Sequence, residues 1–231
     1  MSTQSLAIIP AFNEEKSIAI IVQETKKYVD QVLVVDDHST DNTGKVAKLH
    51  GATVIYHSRN KGVGAAMKTG IAYAKKLKPN IVITIDADGQ HRPKDIPRLT
   101  QPIIAGEADF VLGSRFLDGQ SMNMSQIKKV GNMLITFITS LLAGVKLTDT
   151  QTGFRAFNRK VLLSLDLVSD FTYTQEMILV ICYRGFRCAE VPVQMCPRKY
   201  GRSKVVSKIS AYALRDLMII FSTYLRLKIH R

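Results

Sequence analysis

Ile81-Val82-Ile83-Thr84-Ile85-Asp86-Ala87-Asp88-Gly89-Gln90-His91 is the stretch on which the fold turns. Its first five residues are rich in β-branched side chains and read as a buried strand. The strand delivers two carboxylates, Asp86 and Asp88, separated by one small residue. In an open α/β sheet the ligand crevice forms at the carboxyl ends of the strands. Two acids there, with a glycine to turn the chain, suit a hard divalent cation shared with a phosphate-bearing ligand. Taken alone, the stretch fits a strand end running into a polar turn equally well, since Asp and Gly favour turns.

The surrounding chain supplies the context. Leu6–Ile9, Val32–Val35, Thr53–Tyr56 and Phe110–Leu112 read as further strands. Between them lie helical patterns at Glu14–Tyr28, Thr43–Leu49 and Gly62–Lys76. Asn13 is the expected N-cap of the first helix, with Ile18, Ile21, Val22, Thr25 and Val29 on one face. Strands alternating with helices imply an α/β fold, a mainly parallel sheet covered on both faces. Four strand ends then share one rim: Pro10-Ala11-Phe12-Asn13-Glu14-Glu15, Asp36-Asp37-His38-Ser39, Asp86-Ala87-Asp88 and Gly113-Ser114-Arg115. Such a rim suits a nucleotide: Phe12 offers an aromatic face to a base, and Asp37 a hydrogen-bond acceptor to base or ribose.

The second half differs in character. Ser125–Ala143 reads as a long apolar helix, Arg187–Val193 as a strand and Lys204–Leu227 as a final helix. That last helix carries two apolar stripes, one through Ile209, Ala213, Leu217, Ile220, Tyr224 and Leu227, the other through Leu214, Met218, Phe221 and Leu225. One stripe serves its own core; a second asks for a lipid surface, a neighbouring subunit or a membrane segment. With basic flanks at Lys204, Lys208, Arg226, Lys228 and Arg231, it fits an interfacial amphipathic helix. A helix buried on both sides within the domain fits nearly as well. The expected division is a catalytic domain over 1–206 and a basic amphipathic helix over 207–231.

Composition narrows the class. The chain has 231 residues and a formal net charge of +13. Residues 1–118 hold 15 Lys/Arg and 13 Asp/Glu, whereas 119–231 hold 17 and 6. The basic half wants an anionic partner, and it is also where the apolar helices lie, which favours a membrane face over nucleic acid. No basic n-region opens the chain, no apolar run is clean enough for a membrane span, and Cys182, Cys188 and Cys196 fit no zinc or redox spacing. The expected location is cytoplasmic, peripheral on the cytosolic membrane face, with a homo-oligomer or a membrane protein as further possible partners of the last helix. Gly62-Val63-Gly64-Ala65-Ala66 lacks the third glycine of a dinucleotide loop and does not follow a strand directly. His38, His57 and His91 show no metal spacing; His91 has two readings, an approach to the donor or, the expected one, a solvated loop position. Asp149 has a choice of roles: a salt bridge that orients Arg155 or Lys129, or a structural turn. Tyr173, Gln175 and Glu176 line an acceptor cavity or cap a helix.

At this point the chain resembles a known family. The order Pro-Ala-Phe-Asn-Glu-Glu, Val-Val-Asp-Asp-His-Ser-Thr-Asp, Asp-Ala-Asp-Gly-Gln-His and Gly-Ser-Arg-Phe is similar to that of the inverting family 2 glycosyltransferases with the GT-A fold. Asp149 to Phe157 and Arg198 to Lys204 resemble the dolichyl-phosphate mannose synthase branch, and the likeness spans about residues 6–206. It implies that Pro10, Phe12, Glu14, Val35 and Asp37 hold the nucleotide. Asp86, Ala87, Asp88 and Gln90 would hold Mg²⁺ or Mn²⁺ and the diphosphate. Arg115 and Lys129 would meet the acceptor phosphate, making them, with Asp88, the catalytic set, and Arg198 and Ser203 would clamp the donor from a loop. The implied donor is a nucleotide-diphosphate sugar, mannose favoured, with UDP-glucose and UDP-N-acetylglucosamine as alternatives. The implied acceptor is a polyprenyl phosphate. Three features depart from the pattern: Phe12 stands where the family often has Tyr, Lys129 where it usually has Arg, and the membrane-spanning extension of some members is not expected here. A sugar nucleotidyltransferase also presents acids on such a rim, but opens with a glycine-rich phosphate loop that Pro10-Ala11-Phe12-Asn13-Glu14 does not match. A non-catalytic scaffold would not need both acids of the Asp-X-Asp.

Overall fold

The strand β1 (Ser5–Ala11) alternates Leu6 and Ile8 on one face with Ala7 and Ile9 on the other, and both faces are buried. That burial requires helices above and below, and the chain supplies them. A computed structural model describes residues 5–117, 126–198, 200 and 209–229, with side chains of 126–128 and 209–212 excepted. Its elements run β1, α1 (Glu15–Thr25), β2 (Gln31–Asp36), α2 (Thr43–Leu49), β3 (Thr53–Tyr56), α3 (Val63–Leu77), β4 (Ile81–Thr84), α4 (Ile96–Ile104) and β5 (Phe110–Ser114). Then follow α5 (Gln126–Ala143), β6 (Arg155–Asn158), α6 (Arg159–Ser164), α7 (Thr174–Tyr183), β7 (Cys188–Pro192) and α8 (Ile209–Ile229).

The seven strands form one sheet in the order β3-β2-β1-β4-β6-β5-β7. β6 runs antiparallel to both its neighbours, and every other pairing fits a common direction. Ala66, Met67 and Ile71 of α3, Val161 of α6 and Met177 of α7 cover one face. Ile18 and Val22 of α1, Ala47 of α2 and Leu99 of α4 cover the other. α5 and α8 pack outside α7 through Ile135, Leu179 and Ile220.

Four differences from the sequence reading have physical causes. β6 has only four residues and polar ends, and its place is set by pairing on both sides. α7 is buried at eight consecutive positions, Thr174 to Ile181, so it carries no amphipathic stripe. α4 holds Pro97 at its start and Pro102 within it, which hides its pattern. Asn13 does not cap α1. It sits at φ +53 and its Oδ1 accepts from the Thr40 N–H at 2.8 Å, while Glu14 is the N-cap.

Candidate active site

The parallel strands β1, β2, β4 and β5 bring their carboxyl ends to one rim, and antiparallel β6 brings its amino end there. Pro10 of β1 lies in register with Val35 of β2 and both are buried, while Phe12, just past the end of β1, is half-buried. Asp37 follows β2 and is buried; its N–H donates to the Ala11 carbonyl at 2.8 Å. Its carboxylate accepts from the His57 ring at 2.7 Å, the Lys61 N–H at 2.9 Å and the Gly62 N–H at 2.7 Å. Asp37 therefore shapes the loop that enters α3, and three of its roughly four acceptor sites are already used. The small residues there have a packing reason. A Cβ on Gly62 would lie 2.6 Å from the Asp170 carbonyl, and one on Gly64 2.5 Å from that of Ser169.

The two acids after β4 occupy different surroundings. Asp88 accepts from the Gln90 N–H at 3.0 Å and from Arg198 Nη2 at 3.1 Å. The same Arg198 nitrogen reaches Glu14 Oε1 at 2.9 Å. One guanidinium thus bridges carboxylates from the β1 and β4 ends. Ser203, the other residue implied for that clamp, lies outside the described residues. Asp86 packs against the amino end of β6: a Cβ on Gly153 would come within 2.6 to 2.9 Å of its carboxyl atoms. His91 Nε2 stands 3.5 Å from Asp86 Oδ2. Burial by itself would raise the Asp86 pKa, but His91 and the charges of Arg115 and Arg155 outweigh it and hold the carboxyl below its ordinary value. His91 is not the solvated residue expected: it is buried and lies 5.1 Å from the Phe154 ring, centroid to centroid. Ala87 between the acids is buried, and the Gln90 carbonyl accepts from Cys196 N–H.

Arg115 follows β5 and is held by Asp149 at both ends of its guanidinium, 2.5 Å from Nε and 2.8 Å from Nη2. The Arg115 N–H adds a third bond to the same carboxylate at 3.1 Å. Asp149 is fully buried and orients Arg115, neither Arg155 nor Lys129. It is steadied in turn by Glu190 of β7, which accepts from the Asp149 N–H at 3.0 Å and from the Thr148 N–H and hydroxyl at 2.8 and 2.9 Å. Burial raises the Glu190 pKa against these bonds. This chain of Arg115, Asp149 and Glu190 was not anticipated from sequence. Only the strand pattern around Glu190 could have placed that residue near β5.

Arg155, the other arginine offered above as a partner of Asp149, is a structural residue. It is fully buried within β6 and donates to the carbonyls of Thr152, Thr174 and Thr150 at 2.9, 2.7 and 3.0 Å. Burial pushes its pKa down to about 10, so it stays charged at neutral pH as a structural tie. Tyr173, Gln175 and Glu176 are buried as well. Glu176 accepts from the N–H groups of Val168 and Ser169 and from Arg226 of α8. Lys129 is exposed on the first turn of α5 and touches none of the described rim acids.

Among the described residues no three His, Cys, Asp or Glu side chains gather as a metal cage. A cation held by one or two carboxylates and substrate phosphates needs no cage. The donors at Asp86 and Asp88 fit that mode, and Arg198 already places a positive group on Asp88.

A mainly parallel α/β sheet with one antiparallel insertion and acids on its rim defines a GT-A-type transferase fold. The chain belongs to glycosyl transferase family 2, whose profile matches residues 6–165. It is 36% identical over 219 residues to the UDP-N-acetylglucosamine–dolichyl-phosphate N-acetylglucosaminyltransferase of Methanococcus voltae, covering 85% of this chain and 87% of that one. It is 30% identical over 231 residues to the polyprenol monophosphomannose synthase of Mycolicibacterium smegmatis, covering 93% and 84%. Among solved structures, the glucosyl-3-phosphoglycerate synthase of Mycobacterium tuberculosis in complex with Mn²⁺, UDP and phosphoglyceric acid superposes with a TM-score of 0.74 at 21% identity, covering 96% and 78%. That likeness shows the fold.

Proposed function

We propose that this glycosyltransferase moves a hexosyl group from a nucleotide-diphosphate sugar to a polyprenyl phosphate, with inversion at the anomeric carbon. The observation that carries the reading is the division of charge along the rim. Acids stand at the β1 and β4 ends, and an oriented guanidinium stands at the β5 end, with β6 between. Two strand spacings separate β4 from β5, about 10 Å, which leaves room for one sugar between donor and acceptor phosphates. The relatives whose names include dolichyl phosphate and polyprenol support the acceptor class.

Phe12 and the Asp37 loop would seat the nucleotide. Asp88, with Asp86 and Gln90, would hold Mg²⁺ or Mn²⁺, which supplies charge stabilisation to the departing diphosphate. Arg198 leaves Glu14 and Asp88 for the diphosphate when the donor arrives, exchanging carboxylate partners for phosphate ones. Arg115 orients the acceptor phosphate, and Lys129 adds a second positive charge as α5 meets it. A phosphate monoester has its second pKa near ~6. The nucleophile is therefore already ionised at neutral pH, and the chain's work is to bring two anions together rather than to remove a proton.

The lipid side of the reading rests on α5 and α8. Val130, Met133, Leu134, Phe137 and Leu141 of α5 are exposed, as are Leu214, Met218, Phe221 and Leu225 of α8. A 620 Å³ cavity beside α5, lined by Met133, Phe137, Leu141, Val145, Leu147 and Thr148, ends next to the loop that holds Asp149. No helix among the described residues is long and apolar enough to cross a membrane. These faces suit peripheral binding to an anionic membrane surface.

Mannose from GDP-mannose is the donor the motifs favour. UDP-N-acetylglucosamine is the second reading, favoured by the 36%-identical relative. A screen of nucleotide sugars with a short-chain polyprenyl phosphate and Mn²⁺ separates them: one donor should exceed the others by at least ~10-fold in kcat/KM, a gap of about 1.4 kcal/mol. Transfer from none of them overturns the proposal.

A further inference from the structure

The last turn of α7 and the start of β7 bring two free thiols together. Cys182 lies on that turn, and the chain reverses through Tyr183-Arg184-Gly185-Phe186-Arg187 to Cys188. The reversal is a complete helix C-terminal motif. Gly185, at φ +78, donates its N–H to the Cys182 carbonyl at 3.0 Å, and the Phe186 N–H reaches the Ile181 carbonyl at 3.3 Å. Cys188 is fixed from the other side, in parallel register with Phe110 of β5. Arg187 beside it pairs with Asp109 at 3.0 Å and donates to the Gly106 carbonyl at 2.6 Å. Backbone on both sides thus holds Cys182 Sγ and Cys188 Sγ 3.2 Å apart. Both residues are half-buried, so a small reagent can reach them.

We infer that Cys182 and Cys188 are a modification site: a dithiol that a low-molecular-weight disulfide converts to a cystine, stapling β7 to α7. A disulfide needs about 2.05 Å between sulfurs, so the pair closes by about 1.1 Å through side-chain rotation. The hydrogen bond with Cys188 lowers the Cys182 pKa, and the same contact with burial pushes that of Cys188 far up. The exchange runs in two steps, in either order of the thiols, here with Cys182 as the attacking thiolate. Cys182 attacks one sulfur of the external disulfide and expels the first thiol. Cys188, losing its proton, then attacks the sulfur of Cys182 in the mixed disulfide and expels the second. Two protons and two electrons leave the protein in the two reduced thiols.

The staple falls at a weak point of the sheet. β7 is an edge strand, paired with β5 as its one neighbour in the described sheet and half-buried along its length. Edge elements with few partners open first. β7 also carries Glu190, which steadies Asp149 behind Arg115. A cystine at its first residue therefore secures the strand on which the Arg115 end of the site rests.

The test treats the fully reduced full-length chain with glutathione disulfide. Expected are an intact mass lower by two hydrogens, and a tryptic peptide ending at Arg184 linked to the peptide 188–198, with fragmentation placing the link on Cys188 and not on Cys196. Closure of a short loop should raise the Tm by about 5 °C, reversed by dithiothreitol, with slower amide exchange along 188–192. Cys196→Ser should keep every one of these changes, and Cys182→Ser should lose them. The inference is overturned if both thiols remain alkylatable after oxidation, if a glutathione adduct persists on Cys182, or if Cys196 forms the bridge.

Discussion

Asp88, Asp149 and Gly153 show what single side chains contribute at the rim. Asp88→Ala removes a carboxylate whose bonds are to the Gln90 N–H and Arg198 at the rim, so turnover should fall at least ~10³-fold with a Tm within a few degrees of the parent. An active Asp88→Ala variant contradicts the role proposed for it at the cation. Gly153→Ala tests Asp86 from behind. The three atoms nearest the new methyl all belong to the Asp86 carboxyl group, 2.6 to 2.9 Å away, so the substitution displaces the carboxylate. Activity should drop by ~10-fold or more with a Tm within a few degrees of the parent; unchanged kinetics would remove Asp86 from the site. Asp149→Asn loosens Arg115 and leaves a partly buried guanidinium without its counter-charge. It should cost about 3 kcal/mol in stability, read by urea denaturation, and raise the KM for the acceptor more than that for the donor. These residues differ in how far sequence reveals them. Asp86 and Asp88 are legible because strand and turn chemistry coincide in one stretch. Arg115 is legible as a strand end, but its partner Asp149 lies 34 residues away and Glu190 a further 41. Arg155 is the least legible: it reads as a partner for Asp149, whereas here it satisfies three carbonyls.

At the scale of elements, α8 separates its two stripes as its pattern implies: Leu217, Ile220 and Leu227 pack on α5 and α7, while Leu214, Met218, Phe221 and Leu225 face outward. Phe221→Glu together with Leu225→Glu should lower partition onto anionic vesicles by ~10-fold or more, while transfer to a short soluble acceptor is preserved. Equal loss of both would make this face structural. α8 also buries Asp216, whose pKa burial raises to about 7. The unfolded carboxyl titrates near 3.8. Between pH 4 and 7 the unfolded chain releases this proton and the folded chain retains it, so the group's contribution to stability declines as pH rises and is flat above. Asp216→Asn should therefore stabilise the protein at pH 8 by on the order of 1 kcal/mol or more and not at pH 4. A variant less stable at pH 8 would show a partner for the ionised form. The elements hidden from sequence share one cause: β6, α4 and α7 take their state from tertiary pairing and burial rather than from local periodicity.

For the whole molecule, a sheet topology and an uneven charge combine into one working surface. The nearly neutral first half builds the part of the rim where the proposal seats the nucleotide, and the basic second half carries Arg115's partners, α5 and α8. The alternation of strands and helices was legible because each strand is buried on both faces and reads as a short apolar run. The antiparallel insertion was not, and it is what brings Gly153 against Asp86 and separates the acids from Arg115. The central claim is that a lipid-borne phosphate receives the sugar at this rim. Phosphorus NMR of a reaction containing the purified chain, Mn²⁺, the preferred nucleotide sugar and a short-chain polyprenyl phosphate tests it most directly. The account predicts one phosphodiester signal growing with an equal amount of nucleoside diphosphate as the monoester disappears. Loss of the donor with the monoester untouched, or release of pyrophosphate from a nucleoside triphosphate control, would contradict it.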